Sequence, residues 1–305
     1  MKPAWFFFAL VACGGAQAPA QTGDLVIGPV VASASTPLVA PSPSSAPTSQ
    51  PPRAPAEPIA ARVRDELLAG APQQASGGDL AKYQDAIDYE RRGDLANARK
   101  AYYELITQSP SSPLVPYAYL AFGELFFAEG ENDPSKLPLA VQAYEKATQF
   151  PPPANRAYAY AFERRAACMV KTGDHARALA DAKKAIDALK QYPTLPLADD
   201  VAASARKSLI DAYVAAGQPD RAYAFLRAVD AQSAPAMIVL LGQEYLKRHL
   251  FNELLAMYDA ALGSKDPEIC RGASGAADVV ENAPGGSRLI ATSLRKKHGA
   301  ECGTP

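Results

Sequence analysis

The spacing of apolar and polar positions divides the chain into stretches of different rhythm. The first is one apolar block, Trp5-Phe6-Phe7-Phe8-Ala9-Leu10-Val11, preceded by Lys2 and closed by the small residue Ala12. As a helix, about ten residues reach roughly 15 Å, half of a hydrocarbon core of about 30 Å, so the block reads as a signal h-region and not a permanent span. Residues 14–58 show no periodicity: they are Ala, Pro, Ser and Thr, with only Asp24, Arg53 and Glu57 charged. Such a segment, residues 40–52 above all, buries too little apolar surface to offset its chain entropy, and its prolines favour an extended, semi-stiff tether. Residues 25–31 (Leu-Val-Ile-Gly-Pro-Val-Val) are greasier. They read as linker, with a docking strand for a partner's sheet edge as the alternative. A short helix is expected over residues 61–69. From Asp79 onward apolar positions recur at helical spacing, which predicts an all-α fold. Residues 267–281 and 287–297 read as two closing helices separated by Pro284-Gly285-Gly286.

A single constellation recurs along the helical region. Ala86, Tyr89, Gly93, Ala98, Tyr102 and Pro110 are followed by Gly123, Phe126, Gly130, Ala140, Tyr144, Ala147 and Pro152, with extra residues at the turn around Asn132-Asp133-Pro134-Ser135. Phe162, Ala166, Met169, Gly173, Ala178 and Ala185 make a third copy, and Leu209, Tyr213, Gly217, Ala222 and Leu226 a fourth. Gly242, Tyr245, Tyr258 and Ala261 make a fifth, in which His249 stands at the turn and Leu254 replaces an alanine. Small residues let two helices approach closely, aromatics fill the space left beside them, glycine permits a left-handed turn, and proline ends the second helix.

This pattern resembles the tetratricopeptide repeat (TPR) family. The resemblance covers residues 79–266 and implies a helical-hairpin solenoid of about five repeats, with residues 267–305 as a cap over the last apolar face. The turn positions 93, 130, 173, 217 and 249 stand about 32 to 44 residues apart, so the array is uneven.

Leu10-Val11-Ala12-Cys13 resembles the lipobox of bacterial lipoproteins. That resemblance implies cleavage between Ala12 and Cys13, removal of residues 1–12, and lipidation of Cys13, which then begins a tether over residues 13–78. An ordinary secretory signal is the alternative. At about 0.8 kcal/mol per buried methylene, two or three acyl chains anchor firmly. Gly14 is not the Asp that retains such proteins in the inner membrane of enteric bacteria, which points to the outer membrane with the helical domain in the periplasm.

Charge and chemistry narrow the classes. Lys+Arg number 31 against Asp+Glu 32, for a net charge of -1, which gives no electrostatic case for binding nucleic acid. No catalytic motif is present: the three histidines lie far apart in sequence, and there is no Gly-x-Ser-x-Gly, phosphate loop or His-Glu-x-x-His. No catalytic residue, metal site or cofactor is therefore expected. Cys168 reads as buried filler. Cys270 and Cys302 flank the cap and can pair in an oxidising compartment, contributing roughly 3–4 kcal/mol, or remain free thiols. A metal site with His298 lacks a fourth ligand.

The TPR resemblance implies a partner groove on the first helices: Tyr83, Ile87, Glu90, Arg91, Tyr117, Leu120, Glu124, Phe127, Glu163, Lys171, Lys207, Asp211, Val239, Gln243 and Lys247. Its more apolar end, Tyr83, Tyr117, Leu120 and Phe127, reads either as a peptide-accepting surface or in part as ordinary core between repeats. The Asn of that family's carboxylate clamp is replaced by Ile87, Glu124, Ala167, Asp211 and Gln243, so a reader of chaperone tails is not implied. The layout resembles outer-membrane TPR lipoproteins such as the lipoprotein subunit of the β-barrel assembly machinery, helped by Ser109-Pro110-Ser111-Ser112-Pro113 between hairpins. The expected function is an envelope scaffold or assembly adaptor that binds other proteins or peptide segments and meets the membrane only through its lipid. The alternative is a structural tether between envelope layers, and an enzyme is the least supported class.

Overall fold

A computed structural model describes residues 75–303, and all their regular structure is helical. The described residues form twelve α-helices: α1 (Gly77–Arg91), α2 (Leu95–Gln108), α3 (Val115–Glu129), α4 (Leu137–Ala147), α5 (Tyr158–Thr172), α6 (His175–Gln191), α7 (Ala198–Ala216), α8 (Ala222–Val229), α9 (Ala234–Lys247), α10 (Phe251–Ala261), α11 (Pro267–Asn282) and α12 (Arg288–Cys302). Short 3-10 turns at Pro134–Lys136, Pro219–Arg221 and Leu262–Ser264 link some of them. The signal and lipidation positions Ala12 and Cys13, the linker, residues 25–31 and the short helix expected at 61–69 lie outside the described residues.

Local chemistry explains the boundaries. Ser76, Asp94, Asp174, Asp266 and Ser287 cap α1, α2, α6, α11 and α12, each side chain accepting from a backbone N–H of the first turn. The Ser76 cap starts α1 at Gly77, two residues before the expected domain start at Asp79. Three turns share one design. At Gly93, Gly173 and His249 the backbone is left-handed (φ 77°, 79° and 57°). The next residue's N–H reaches back to Tyr89, Met169 and Tyr245 respectively, at 2.9 Å in each case. His249 thus adopts the conformation that glycine supplies elsewhere. The expectation of a left-handed glycine does not hold at Gly130 (φ -62°) or Gly217 (φ -83°). There glycine answers crowding: an added Cβ would run into Leu137 or the Tyr213 ring.

Successive helices pack as neighbours: α1 with α2, α3 with α4, α5 with α6, and α11 with α12, while α4–α5 and α6–α7 join one pair to the next. Ala86, Ala98, Ala140, Ala166, Ala178 and Ala222 are wholly inaccessible, as is Leu254 at the position where an alanine is replaced. Tyr102, Tyr144, Tyr245 and Tyr258 fill the volume beside such small residues. An aromatic series (Tyr83–Tyr102 5.6 Å, Tyr102–Phe122 6.3 Å, Phe122–Phe126 6.1 Å) carries the core from α1 through α2 to α3. From Phe162 to Leu294 one continuous buried cluster unites α5 to α12. α12 closes it with Ala291 and Leu294, and the Cys270–Cys302 disulfide joins α11 to α12 with Cα atoms 6.0 Å apart. Cys168 is buried, its thiol 3.2 Å from the Leu137 carbonyl and its pKa pushed up to about 11 by loss of solvent. No helix among the described residues is long and apolar enough to cross a membrane.

The crossing of α3 and α4 makes a direct test. A Cβ on Gly123 would lie 2.8 Å from Tyr144 Cζ and nearer still to two other ring carbons. Tyr144 is wholly buried and tied by its hydroxyl, so the ring has nowhere to go. Gly123→Ala is expected to cost about 1–3 kcal/mol in urea unfolding. Gly275→Ala, within α11 with open space around it, is expected to gain about 0.5–1 kcal/mol.

Candidate functional site

Interhelical polar contacts run from α3 to α5, from α5 to α7, and from α7 to the residue that follows α9. Glu124 on α3 accepts from Arg164 Nε (2.8 Å) and Nη2 (3.1 Å) on α5, and from the hydroxyls of Tyr144 (2.8 Å) and Tyr160 (3.2 Å). Burial first, then the Glu124 charge, holds both phenols well above their usual range, so they stay donors. Arg164 also lies over the Phe127 ring at 4.0 Å, with Lys171 Nζ at 5.3 Å from the same ring. Lys171 reaches Glu131, in the turn that follows α3, at 2.6 Å.

One step along, Glu163 on α5 is only 2% exposed and accepts from Ser204 (2.6 Å) and Ser208 (3.4 Å) on α7. Arg248, following α9, approaches Asp211 on α7 at 3.9 Å, and Asp211 is also held by Lys207 at 2.5 Å. Arg165, also on α5, meets Asp181 of α6 with two hydrogen bonds, at 2.6 and 3.0 Å. A paired buried charge keeps helices in one register, because sliding would strand each partner without water.

The expected groove residues separate into two groups. Tyr83, Ile87, Tyr117 and Leu120 are at most 6% exposed. They are interior packing residues, not groove lining, because α1 and α3 turn these large apolar positions into the core. Tyr117 also braces the chain just before α5, its hydroxyl accepting from the Arg156 backbone N–H at 3.0 Å. Glu124 is largely covered by its ion pair. Arg91, Lys171 and Lys207 are exposed, and Phe127 is half-buried under cations. The accessible surface of this face is therefore charged, with one aromatic platform at Phe127.

Arg164, Glu163, Ser204, Ser208 and the Arg165–Asp181 pair complete the network, yet only Glu163 stood on the expected groove. The available signal was Glu163-Arg164-Arg165, three consecutive charges in an otherwise apolar stretch of α5. Three consecutive residues spread over about 200° of a helix, so on a helix covered from more than one side at least one of them meets a neighbour. No group of three or more His, Cys, Asp or Glu among the described residues is placed to hold a metal ion. His175, His249 and His298 remain apart, the first and last half-buried and the second exposed. The buried network is saturated with mutual hydrogen bonds, so its chemistry is positional: it fixes the face on which the exposed charges sit.

Compared with protein-family models and with curated proteins, the sequence finds no match in either.

Glu163 makes the network sensitive to pH. Burial raises its pKa above the ordinary carboxyl value, with Arg164 and the two serine hydroxyls opposing. The folded state therefore holds this proton more tightly than the unfolded chain. Glu163 costs nothing below the ordinary carboxyl pKa, and the penalty grows as pH rises through the raised value. Glu163→Gln, which keeps an oxygen for Ser204, is expected to be more stable than the parent at neutral pH. That gain should vanish in acid, as read from thermal unfolding across the pH range.

Proposed function

We propose that the protein is an exported, lipid-anchored protein of the bacterial envelope, whose helical domain is a TPR-like hairpin solenoid acting as a protein-interaction scaffold or assembly adaptor without enzymatic activity. The supporting observation is the chain of polar contacts that links α3, α5, α7 and the end of α9: Glu124–Arg164, Glu163–Ser204 and Arg248–Asp211. A rigid face built from several short helices offers separated charged groups in fixed positions, which suits recognition of another protein more than catalysis. The anchor rests on Cys13 and the lipobox-like residues before it, and the tether on residues 13–78. On this reading the partners are envelope proteins or peptide segments, the lipid is the only membrane contact, and the domain lies in the periplasm at the outer membrane.

Crosslinking pull-down from native membranes tests both halves. The intact protein is expected in the outer-membrane fraction with a defined partner set, while Cys13→Ser is released into the soluble fraction. Lys171→Glu with Lys207→Glu reverses two exposed charges on the face. With helicity unchanged, it is expected to reduce capture roughly tenfold, equivalent to about 1.4 kcal/mol. Identical fractionation of the Cys13→Ser protein rejects the anchor. Undiminished capture by the charge-reversed protein rejects the face.

A further inference from the structure

We propose that a cleft on the loop edge of the domain, between the α4–α5 and α6–α7 connections, binds a carboxylate carried by a peptide. The cleft has a volume of about 380 Å³ and is lined by Pro152, Pro153, Arg156, Tyr192, Thr194 and Leu195. That lies at the low end of the roughly 300–1,000 Å³ of ligand pockets, enough for the end of a chain or one turn of it and too small for a whole helix.

The walls are built and held. Asn155, 1% exposed, donates to the Ala147 carbonyl and accepts from the Ala157 N–H, both at 2.9 Å. The buried Tyr117 hydroxyl fixes the Arg156 backbone at 3.0 Å. On the opposite wall Leu195 is buried, and its N–H closes a turn onto the Tyr192 carbonyl at 3.2 Å. Neither loop depends on a ligand for its shape, so little ordering cost falls on binding.

The polar lining selects the ligand. Arg156 is half-buried, yet among the described residues its guanidinium has no ion-pair or hydrogen-bond partner. Arg164 and Arg165, shortly after it, each end on a carboxylate. The Tyr192 and Thr194 hydroxyls are likewise unengaged by described residues, and no acidic side chain lines the cleft. A guanidinium and two hydroxyls, unbalanced by any anion, favour an acceptor of single negative charge. The guanidinium fork matches carboxylate and phosphate alike, but one arginine balances a single charge, where phosphopeptide sites gather several arginines. Pro152, Pro153, Leu195 and the Tyr192 ring supply apolar surface for an adjoining aliphatic side chain. The carboxylate is a chain terminus or an Asp or Glu side chain. The inference deepens the scaffold reading and rests on it only for the ligand's being carried by a protein.

Calorimetric titration of the purified full-length protein tests it without reference to membranes or native partners, so its failure is distinct from failure of the pull-down. The probes are N-acetyl-Ala-Leu-Leu as the free acid, the same peptide as its amide, N-acetyl-Ala-Glu-Leu amide, and inorganic phosphate. At least one carboxylate peptide is expected to bind roughly tenfold more tightly than the uncharged amide. Preference for the free acid assigns the ligand to a chain end, and preference for the Glu peptide assigns it to a side chain. Arg156→Gln is expected to abolish that preference and Tyr192→Phe to weaken it, with Arg156→Lys retaining some of it and unfolding curves verifying the fold. Equal binding of charged and uncharged peptides, no binding of any carboxylate peptide, phosphate binding as tight as that of the best peptide, or an unchanged preference in folded Arg156→Gln overturns the assignment.

Discussion

Everything in the helical domain depends on how closely its helices approach one another. At the α3–α4 crossing Gly123 meets the ring of Tyr144 with no room for a single extra carbon. At other crossings alanines with no accessible surface play the same role, and a tyrosine takes up the remaining volume. Alanine contributes little to burial by itself. Its value is that it brings backbones near enough for the larger neighbours on both sides to be covered. With connections as short as those at Gly93 and Gly173, a helix has no alternative but to pack back on its predecessor.

Close packing alone does not choose a register, since alanine-rich surfaces slide at little cost. The polar contacts make that choice. Glu124 gathers Arg164, Tyr144 and Tyr160, Arg165 meets Asp181, and Glu163 takes two serine hydroxyls. Each group is satisfied only in one arrangement of α3, α4, α5, α6 and α7. The cost of an unpaired charge away from water then excludes the alternatives, even though each pair contributes modestly to net stability. The same contacts hold the exposed charges and the Phe127 platform at fixed spacings, which connects the interior to the proposed scaffold role.

The two surfaces differ in physical character. The first-helix face is charged of both signs and largely self-paired, so it suits a partner that exchanges these pairs for its own. The loop-edge cleft is small, apolar-walled and positively charged, with its one arginine unspent. A partner that used both would be oriented as well as held, because the two sites lie on different regions of the helix pairs.

Much of the architecture was legible in the chain. Apolar positions at helical spacing, together with capping residues such as Asp94, Asp174 and Asp266, locate helices because each depends on neighbours within a few residues. The two closing helices were readable for the same reason, bounded by Pro267 and by Pro284-Gly285-Gly286. Conformation at the turns was only partly legible: glycine marks a left-handed residue at Gly93 and Gly173 but a crowded one at Gly130 and Gly217, and that difference arises from a side chain packed over the position. Burial was less legible still. Tyr83, Ile87, Tyr117 and Leu120 occupy the helix face on which a groove was expected, but an apolar residue faces a ligand or another helix according to what packs over it. The Glu124–Arg164 pairing, the Cys270–Cys302 bond and the cleft beside Arg156 join segments 32 or more residues apart. Sequence alone determined which segments become helices, because helix signals are local. The tertiary structure decided which charges meet across helices and which residues line the cleft, because that depends on the distance between helices.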